Sequence, residues 1–271
     1  MYRAFYKLRE NPFNVTSDPG FLFLSPTHGE ALDHLQYGIQ QRKGFLAITG
    51  EIGSGKTTLC RALINRLDAT TKVAFILNAV LPELQLLEAI AEDFGIVVTP
   101  HTKGALIRKI NAFLLEQLSL GNNAVLIIDE AQNMRPAVLE TVRMLSNLET
   151  EKEKLLQIVL VGQPQLQNKL NLPELVQLKQ RIAVRFHVRA LTEQEVGPYI
   201  QHRLAVAGST GDIVFLEGAI QSVFHYTGGI PRLINILVDK VLLRGFVKEI
   251  FVIDSEHVKT CIQELEGECL V

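Results

Sequence analysis

The stretch Phe45-Leu46-Ala47-Ile48-Thr49-Gly50-Glu51-Ile52-Gly53-Ser54-Gly55-Lys56-Thr57 decides the fold. It opens with a short apolar run, the length of a buried strand. From Gly50 to Thr57 it satisfies G-x-x-x-x-G-K-[ST] in full. Behind it Leu59, Leu63, Ile64 and Leu67 recur at helical spacing. Strand, glycine loop and helix, in that order, make an anion cradle. The glycines let the backbone wrap with its N–H groups turned inward, and the N-terminus of the next helix adds donors. The whole loop, Gly50, Glu51, Ile52, Gly53, Ser54, Gly55, Lys56 and Thr57, is therefore expected to hold the phosphates of a nucleoside triphosphate. Lys56 reaches the β- and γ-phosphates, the Thr57 hydroxyl ligates Mg²⁺, and Thr58 touches the α-phosphate.

Outward from the loop, strand-like and helix-like runs alternate. Val73–Leu77 reads as a second strand, Pro82–Phe94 and Ala105–Leu118 as helices, and Ala124–Ile128 as a third strand ending at Asp129-Glu130. Ala137–Leu148 reads as a helix, Gln157–Val161 as a fourth strand, and a short strand near Ala183–Val188 completes the sheet. Alternation of this kind implies a mostly parallel sheet sandwiched by helices. In an open parallel sheet, ligands bind beyond the carboxyl ends of the strands. Asp129 is therefore expected at the same crevice as the loop, as a Mg²⁺ contact, and Glu130 as the general base for an attacking water. A solvated acidic pair at a strand end is the competing reading, weakened by the loop upstream.

Past residue 190 the pattern turns helical. Thr192 with Glu195 fits a capping box, and helical periods follow over Val196–Ala207, Glu217–Tyr226, Pro231–Phe246 and Ser255–Leu265, with a short apolar piece at Phe251–Ile253. The expected organisation is an α/β nucleotide-binding core over residues 1–189 and a small all-helical domain over 190–271. A formal net charge of −2 gives no global field to gather nucleic acid. The three cysteines, Cys60, Cys261 and Cys269, lack metal-ligand spacing and read as free thiols of a reducing compartment. No apolar run approaches the ~18 residues that span a bilayer, and the N-terminus lacks the apolar core of a signal peptide. A cytoplasmic location follows as the expectation.

Gly50–Thr57, the Asp129-Glu130 pair and Gly228-Gly229-Ile230-Pro231-Arg232 resemble an AAA+ ATPase. Phe5-Tyr6-Lys7-Leu8-Arg9-Glu10-Asn11-Pro12-Phe13, Val161-Gly162-Gln163-Pro164 and Gln180-Arg181-Ile182-Ala183-Val184-Arg185-Phe186 resemble the general secretion pathway protein A (ExeA-type) members. The resemblance spans essentially the whole chain. It implies a P-loop NTPase core followed by a helical AAA+ lid, with ATP and Mg²⁺ as cofactors. It implies Gln163 as the sensor 1 residue, Arg232 as sensor 2, and Asn78 as a polar partner of the catalytic glutamate. Arg181 or Arg185 is implied as the arginine finger, Arg181 being favoured, and Asn11, Pro12 and Phe13 as a border of the adenine. Each also has a plain alternative. Gln163 and Asn78 could serve turns, Arg181 and Arg185 solvated ion pairs, and Arg232 a helix cap or an acid partner. His28, His187 and His225 read as structural or surface residues.

The functional expectation is an ATP hydrolase that forms ATP-dependent homo-oligomers. It would drive assembly of a bacterial secretion or pilus-type envelope machine through an envelope protein partner. The alternative is a DNA-binding AAA+ regulator of the transposition or replication type. Family members typically continue into a membrane span and a periplasmic peptidoglycan-binding region. Residues 1–271 carry neither pattern, so they are expected to act in the cytoplasm, as a shorter relative or as the cytoplasmic part of an inner-membrane protein.

Overall fold

The computed structural model describes residues 2–77, 79–97, 99, 102–151 and 153–267. Along the chain run α1 (Tyr2–Phe5), α2 (Pro26–Gln40), β1 (Phe45–Gly50), α3 (Lys56–Arg66), β2 (Thr71–Ile76), α4 (Glu83–Asp93) and α5 (Lys103–Ser119). Then come β3 (Asn123–Ile128), α6 (Pro136–Leu145), β4 (Gln157–Gly162), α7 (Gln165–Leu170), α8 (Val176–Arg181) and β5 (Ile182–Val188). The C-terminal part holds α9 (Glu193–Val206), β6 (Val214–Phe215), α10 (Glu217–Thr227), α11 (Pro231–Val247), β7 (Val252–Ile253) and α12 (Ser255–Leu265).

These elements form two compact units. One is Gly29–Gly50 with Leu59–Val188; the other is Met1–His28, Glu51–Thr58 and Arg189–Val271.

The first unit is built on a sheet of five strands, ordered β2-β3-β4-β1-β5, every neighbouring pair parallel. β1, β4 and the interior of β3 are buried along their length, which is why they read as unbroken apolar runs rather than alternating ones. One face carries Leu126, Ile128, Ile158 and Leu160, packed with Leu87, Ile90, Leu106 and Val138 from α4, α5 and α6. On the other face α2 approaches so closely that a Cβ on Gly38 would stand 2.2 Å from Leu46 Cδ2. The strand expected near Ala183 to Val188 is β5, at the sheet edge beside β1. Its burial alternates, with Ala183, Arg185 and His187 exposed, because an edge strand is covered less completely.

The second unit has its own core. Tyr6, Phe13 and Phe21 pack with Val196, Ile200, Leu204, Ile234, Leu237, Val238 and Val258. The N-terminal segment thus belongs with the C-terminal helices. Residues 1–28 were expected with the sheet, and α2 was not anticipated. Arg203 accounts for much of the difference. It is buried, donates from Nε to Pro12 O at 2.5 Å and from Nη2 to Asn14 O at 3.2 Å, and lies 4.8 Å from the Phe21 ring centroid. Such partners, almost two hundred residues away in sequence, leave no local pattern. The unit is helical except for β6 and β7, a parallel pair of two-residue strands, so the expected all-helical domain carries a small ribbon. Two residues are too short to show alternation, which is why the sequence pattern missed it. Thr192 N–H donates to Glu195 Oε2 at 2.8 Å, as the capping box requires. Asp254 caps α12 by accepting from Glu256 and His257 N–H.

Gly228 and Gly229, both at positive φ, turn the chain from α10 into α11, where Pro231 opens the helix. At Gly229 an added Cβ would lie 1.9 Å from Leu191 O. Gly229→Ala is therefore expected to destabilise this unit by about 2 kcal/mol or more, from left-handed strain plus backbone displacement. Gly211→Ala, at φ +94 with nothing within 4 Å of its Cβ, should cost only the strain, about 1–2 kcal/mol. Urea unfolding of the two variants measures the difference; equal losses would remove the close approach as a cause.

Candidate nucleotide site

β1 delivers the chain into the loop at Gly50. Gly53 and Gly55 sit at φ +79 and +92, values that L side chains rarely adopt. Ser54 N–H donates to Glu51 O at 3.1 Å, closing a tight turn. Lys56 opens α3 and is buried, with Nζ donating to Glu51 O at 2.8 Å, so the ammonium lies against the loop. Ser54 is fully buried, and its hydroxyl has no hydrogen-bond partner among the described residues. Left-handed glycines, a helix N-terminus, a lysine on the loop and an unpartnered buried hydroxyl form a donor-rich set that fits a polyphosphate. Thr57 and Thr58 follow in the first turn of α3, half-buried.

Arg232, the second residue of α11, meets this loop. Its N–H donates to Gly53 O at 3.2 Å, and a Cβ on Gly53 would come within 2.6 Å of Arg232 Cβ. Its side chain is exposed. Pro12 and Phe13 are buried in the helical core, Phe13 with its ring 5.8 Å from the Arg203 guanidinium; Asn11 is half-buried. The Phe13 ring is thus engaged with its own unit's core.

On the sheet, Asp129 follows the last residue of β3. It is buried at 2% exposure, and its N–H continues the pairing with β2 by donating to Ile76 O at 2.9 Å. Its Oδ1 accepts from the Glu130 N–H at 2.8 Å. Glu130 has φ +53 and ψ +34, left-handed for a residue with a side chain, and starts the single turn Ala131–Asn133. Gln163, just past β4, donates from Nε2 to Glu130 Oε2 at 3.1 Å. The sheet therefore joins the expected base and the expected sensor directly.

A third residue, which the sequence pattern did not single out, completes this arrangement. Gln132 is buried; its Nε2 donates to Glu130 Oε2, and its Oε1 accepts the Gln163 N–H at 3.0 Å. Gly162 makes room for it, since a Cβ there would stand 2.7 Å from Gln132 Oε1. Lys169 on α7 fastens the same turn by donating to the carbonyls of Gln132 and, at 2.7 Å, of Met134; burial holds its ammonium below the usual lysine range. A glutamine two positions after the acidic pair was the available signal for Gln132.

The two candidate finger arginines stand apart from this cluster. Arg181 ends α8 immediately before β5, whose first residue, Ile182, pairs with Phe45 at the beginning of β1. That is the amino edge of the sheet, opposite Glu130. Arg181 donates to Ser146 Oγ at 2.9 Å and to Asn147 Oδ1. Arg185 pairs in mid-strand with Ala47 and donates to Lys179 O. Both are exposed. Asn78 and Cys269 lie outside the described residues; Cys60 and Cys261 are both buried. Among the described residues, no helix is long and apolar enough to cross a membrane.

Comparison with known proteins agrees with the fold. A family model described as an AAA domain matches residues 39–170. General secretion pathway protein A of Aeromonas hydrophila is 43% identical over 98% of this chain. This chain spans 49% of that relative's length. Among solved structures, the ORC2 protein of Aeropyrum pernix, determined as ADPNP-ADP complexes, aligns with a TM-score of 0.69 at 17% identity, over 97% of this chain and 75% of that one. The RuvB Holliday junction branch migration motor of Thermotoga maritima aligns with a TM-score of 0.59 at 17% identity, over 89% of this chain and 69% of that one. At these identities the structural likenesses establish the fold.

If Gln132 shields the Gln163 amide, Gln132→Ala should speed hydrogen exchange at that amide by about tenfold or more while leaving the core of β4 protected. Gly162→Ala should do the same by displacing the glutamine. An unchanged Gln163 rate in both would show that the bond to Gln132 does not persist in solution.

Proposed function

Because this chain belongs to the AAA+ ATPases related to general secretion pathway protein A, we propose that it binds ATP with magnesium at Gly50–Thr57 and hydrolyses it with Glu130 as the base. The observation that supports this most is the carboxyl edge of the sheet. Gly50, Asp129 and Gln163 leave three neighbouring strands there, and Glu130 is hydrogen-bonded to Gln163.

In this assignment Lys56 and the loop N–H groups bind the β- and γ-phosphates. Thr57 and Asp129 are the residues that would hold the metal, which supplies charge neutralisation at the transferring phosphoryl group. Glu130 takes a proton from the attacking water, and Gln163 orients its carboxylate. Gln132, bonded to both, restricts the Glu130 rotamers. Arg232 carries the state of the γ-phosphate to α11. Arg181, or failing that Arg185, acts in a neighbouring subunit. Its place at the opposite sheet edge from Glu130 supports action in trans, an effect worth about 10³–10⁵ in rate.

The name of the relative points to the process: ATP-dependent oligomers that assemble a secretion or pilus-type envelope machine from the cytoplasmic side. DNA is the alternative partner.

Glu130→Gln is expected to bind ATP with near-wild-type affinity and to lose about 10²-fold or more in turnover; Lys56→Ala should lose binding itself. Normal turnover by Glu130→Gln would remove it from the base role. Light scattering with ADP or a non-hydrolysable ATP analogue, each with and without duplex DNA, tests the process. Growth on the ATP analogue alone supports the assembly role. Growth that requires DNA transfers the assignment to a DNA-bound regulator, and a constant monomer overturns action in trans by this chain alone.

A further inference from the structure

His28 lies in the first turn of α2, 3% exposed. Its Nε2 is 2.9 Å from Ser54 O, and its Nδ1 is 2.7 Å from Ser25 Oγ. Ser25 Oγ also accepts the His28 N–H at 3.3 Å. The tautomer follows from the partners. A carbonyl only accepts, so Nε2 carries the proton; Nδ1 of the neutral ring then accepts from the Ser25 hydroxyl. Burial favours that neutral ring and moves the imidazole below its usual range, opposed by the Ser54 carbonyl and by Glu195.

The carbonyl that His28 holds belongs to the peptide joining Ser54 to Gly55. In a trans peptide the C=O and N–H point in opposite directions. Holding Ser54 O outward therefore turns the Gly55 N–H into the hollow of the loop. The preceding peptide is held at both ends, its carbonyl accepting from Arg232 N–H at 3.2 Å and its N–H donating to Glu51 O at 3.1 Å. At Gly55 the ring and the loop are in near contact, a Cβ there coming 3.3 Å from His28 Nε2. Gly55 is also at φ +92, a conformation open to peptide rotation once the carbonyl is released.

We infer that His28 is a positioning residue of the nucleotide site: its Nε2–H pins the Ser54 carbonyl and so pre-aims the Gly55 N–H at the phosphates. The inference rests on Gly50–Thr57 being the nucleotide site. It assigns to a residue 26 positions before Ser54 a share of binding that ADP and ATP feel equally, because the pinned peptide faces the phosphates they have in common. His28 touches no reacting group, so turnover at saturating ATP should change little.

The test measures ADP affinity and steady-state ATP hydrolysis for the full chain and for His28→Gln, His28→Phe and His28→Ala. Gln returns a donor near the position of Nε2, and Phe fills the ring volume without one. Expected are a tenfold or greater weakening of ADP binding in His28→Phe, recovery to within about threefold in His28→Gln, and a KM that rises with kcat nearly constant. If His28→Ala fails to fold, the Gln–Phe pair carries the same comparison. Wild-type ADP affinity in a folded His28→Phe protein overturns the inference, as does equal weakening in His28→Gln and His28→Phe, which would mark the ring as packing only. Absence of ADP binding by the wild type, matched by Lys56→Ala, would instead remove the nucleotide site itself.

Discussion

Parallel strand pairing is the constraint on which the sheet unit depends. Strands that run the same way need crossovers, and the crossover helices cover both faces, so the strands between them must be apolar on both sides. β1, β3 and β4 meet this requirement with Ile, Leu, Val, Ala or Phe at most positions. The same geometry has a chemical result. Every strand ends at one edge, so residues far apart in the chain emerge side by side there. Gly50, Asp129 and Gln163 owe their common edge to this pairing.

Close approach of backbone is the second recurring device. Gly38 lets α2 settle on Leu46, Gly162 admits the Gln132 amide, and Gly229 lets the α10–α11 turn touch the Leu191 carbonyl. Gly38 and Gly162 serve through the space a missing side chain leaves, whereas Gly229 also needs its φ of +75. A methyl group would have to displace a side chain at Gly38 and Gly162, and the backbone itself at Gly229.

Several buried or half-buried polar groups are settled on backbone carbonyls. Arg203 bonds Pro12 and Asn14 and lies against aromatic rings; Lys169 bonds Gln132 and Met134; His28 bonds Ser54. A buried donor left without a partner costs about 1–3 kcal/mol, more if charged. Each of these side chains therefore tethers an otherwise irregular segment to a helix. The segments so held are the N-terminal stretch around Phe13, the turn after Glu130 and the phosphate loop.

The sequence by itself determined the local elements and the motifs they carry. An unbroken apolar run, a glycine loop with lysine and threonine, and a strand ending in two carboxylates were legible because each depends on neighbours within a few residues. The strand and helix periods placed the five strands of the sheet and most helices for the same reason. Only the tertiary structure decided that the first 28 residues share a core with the C-terminal helices, that β5 lies at the edge beside β1, and that β6 pairs with β7. It also decided that Gln132 joins Glu130 to Gln163 and that His28 holds the loop. These depend on contacts between distant positions, where a single polar residue has the same appearance in sequence whether it faces solvent or carries a buried hydrogen bond.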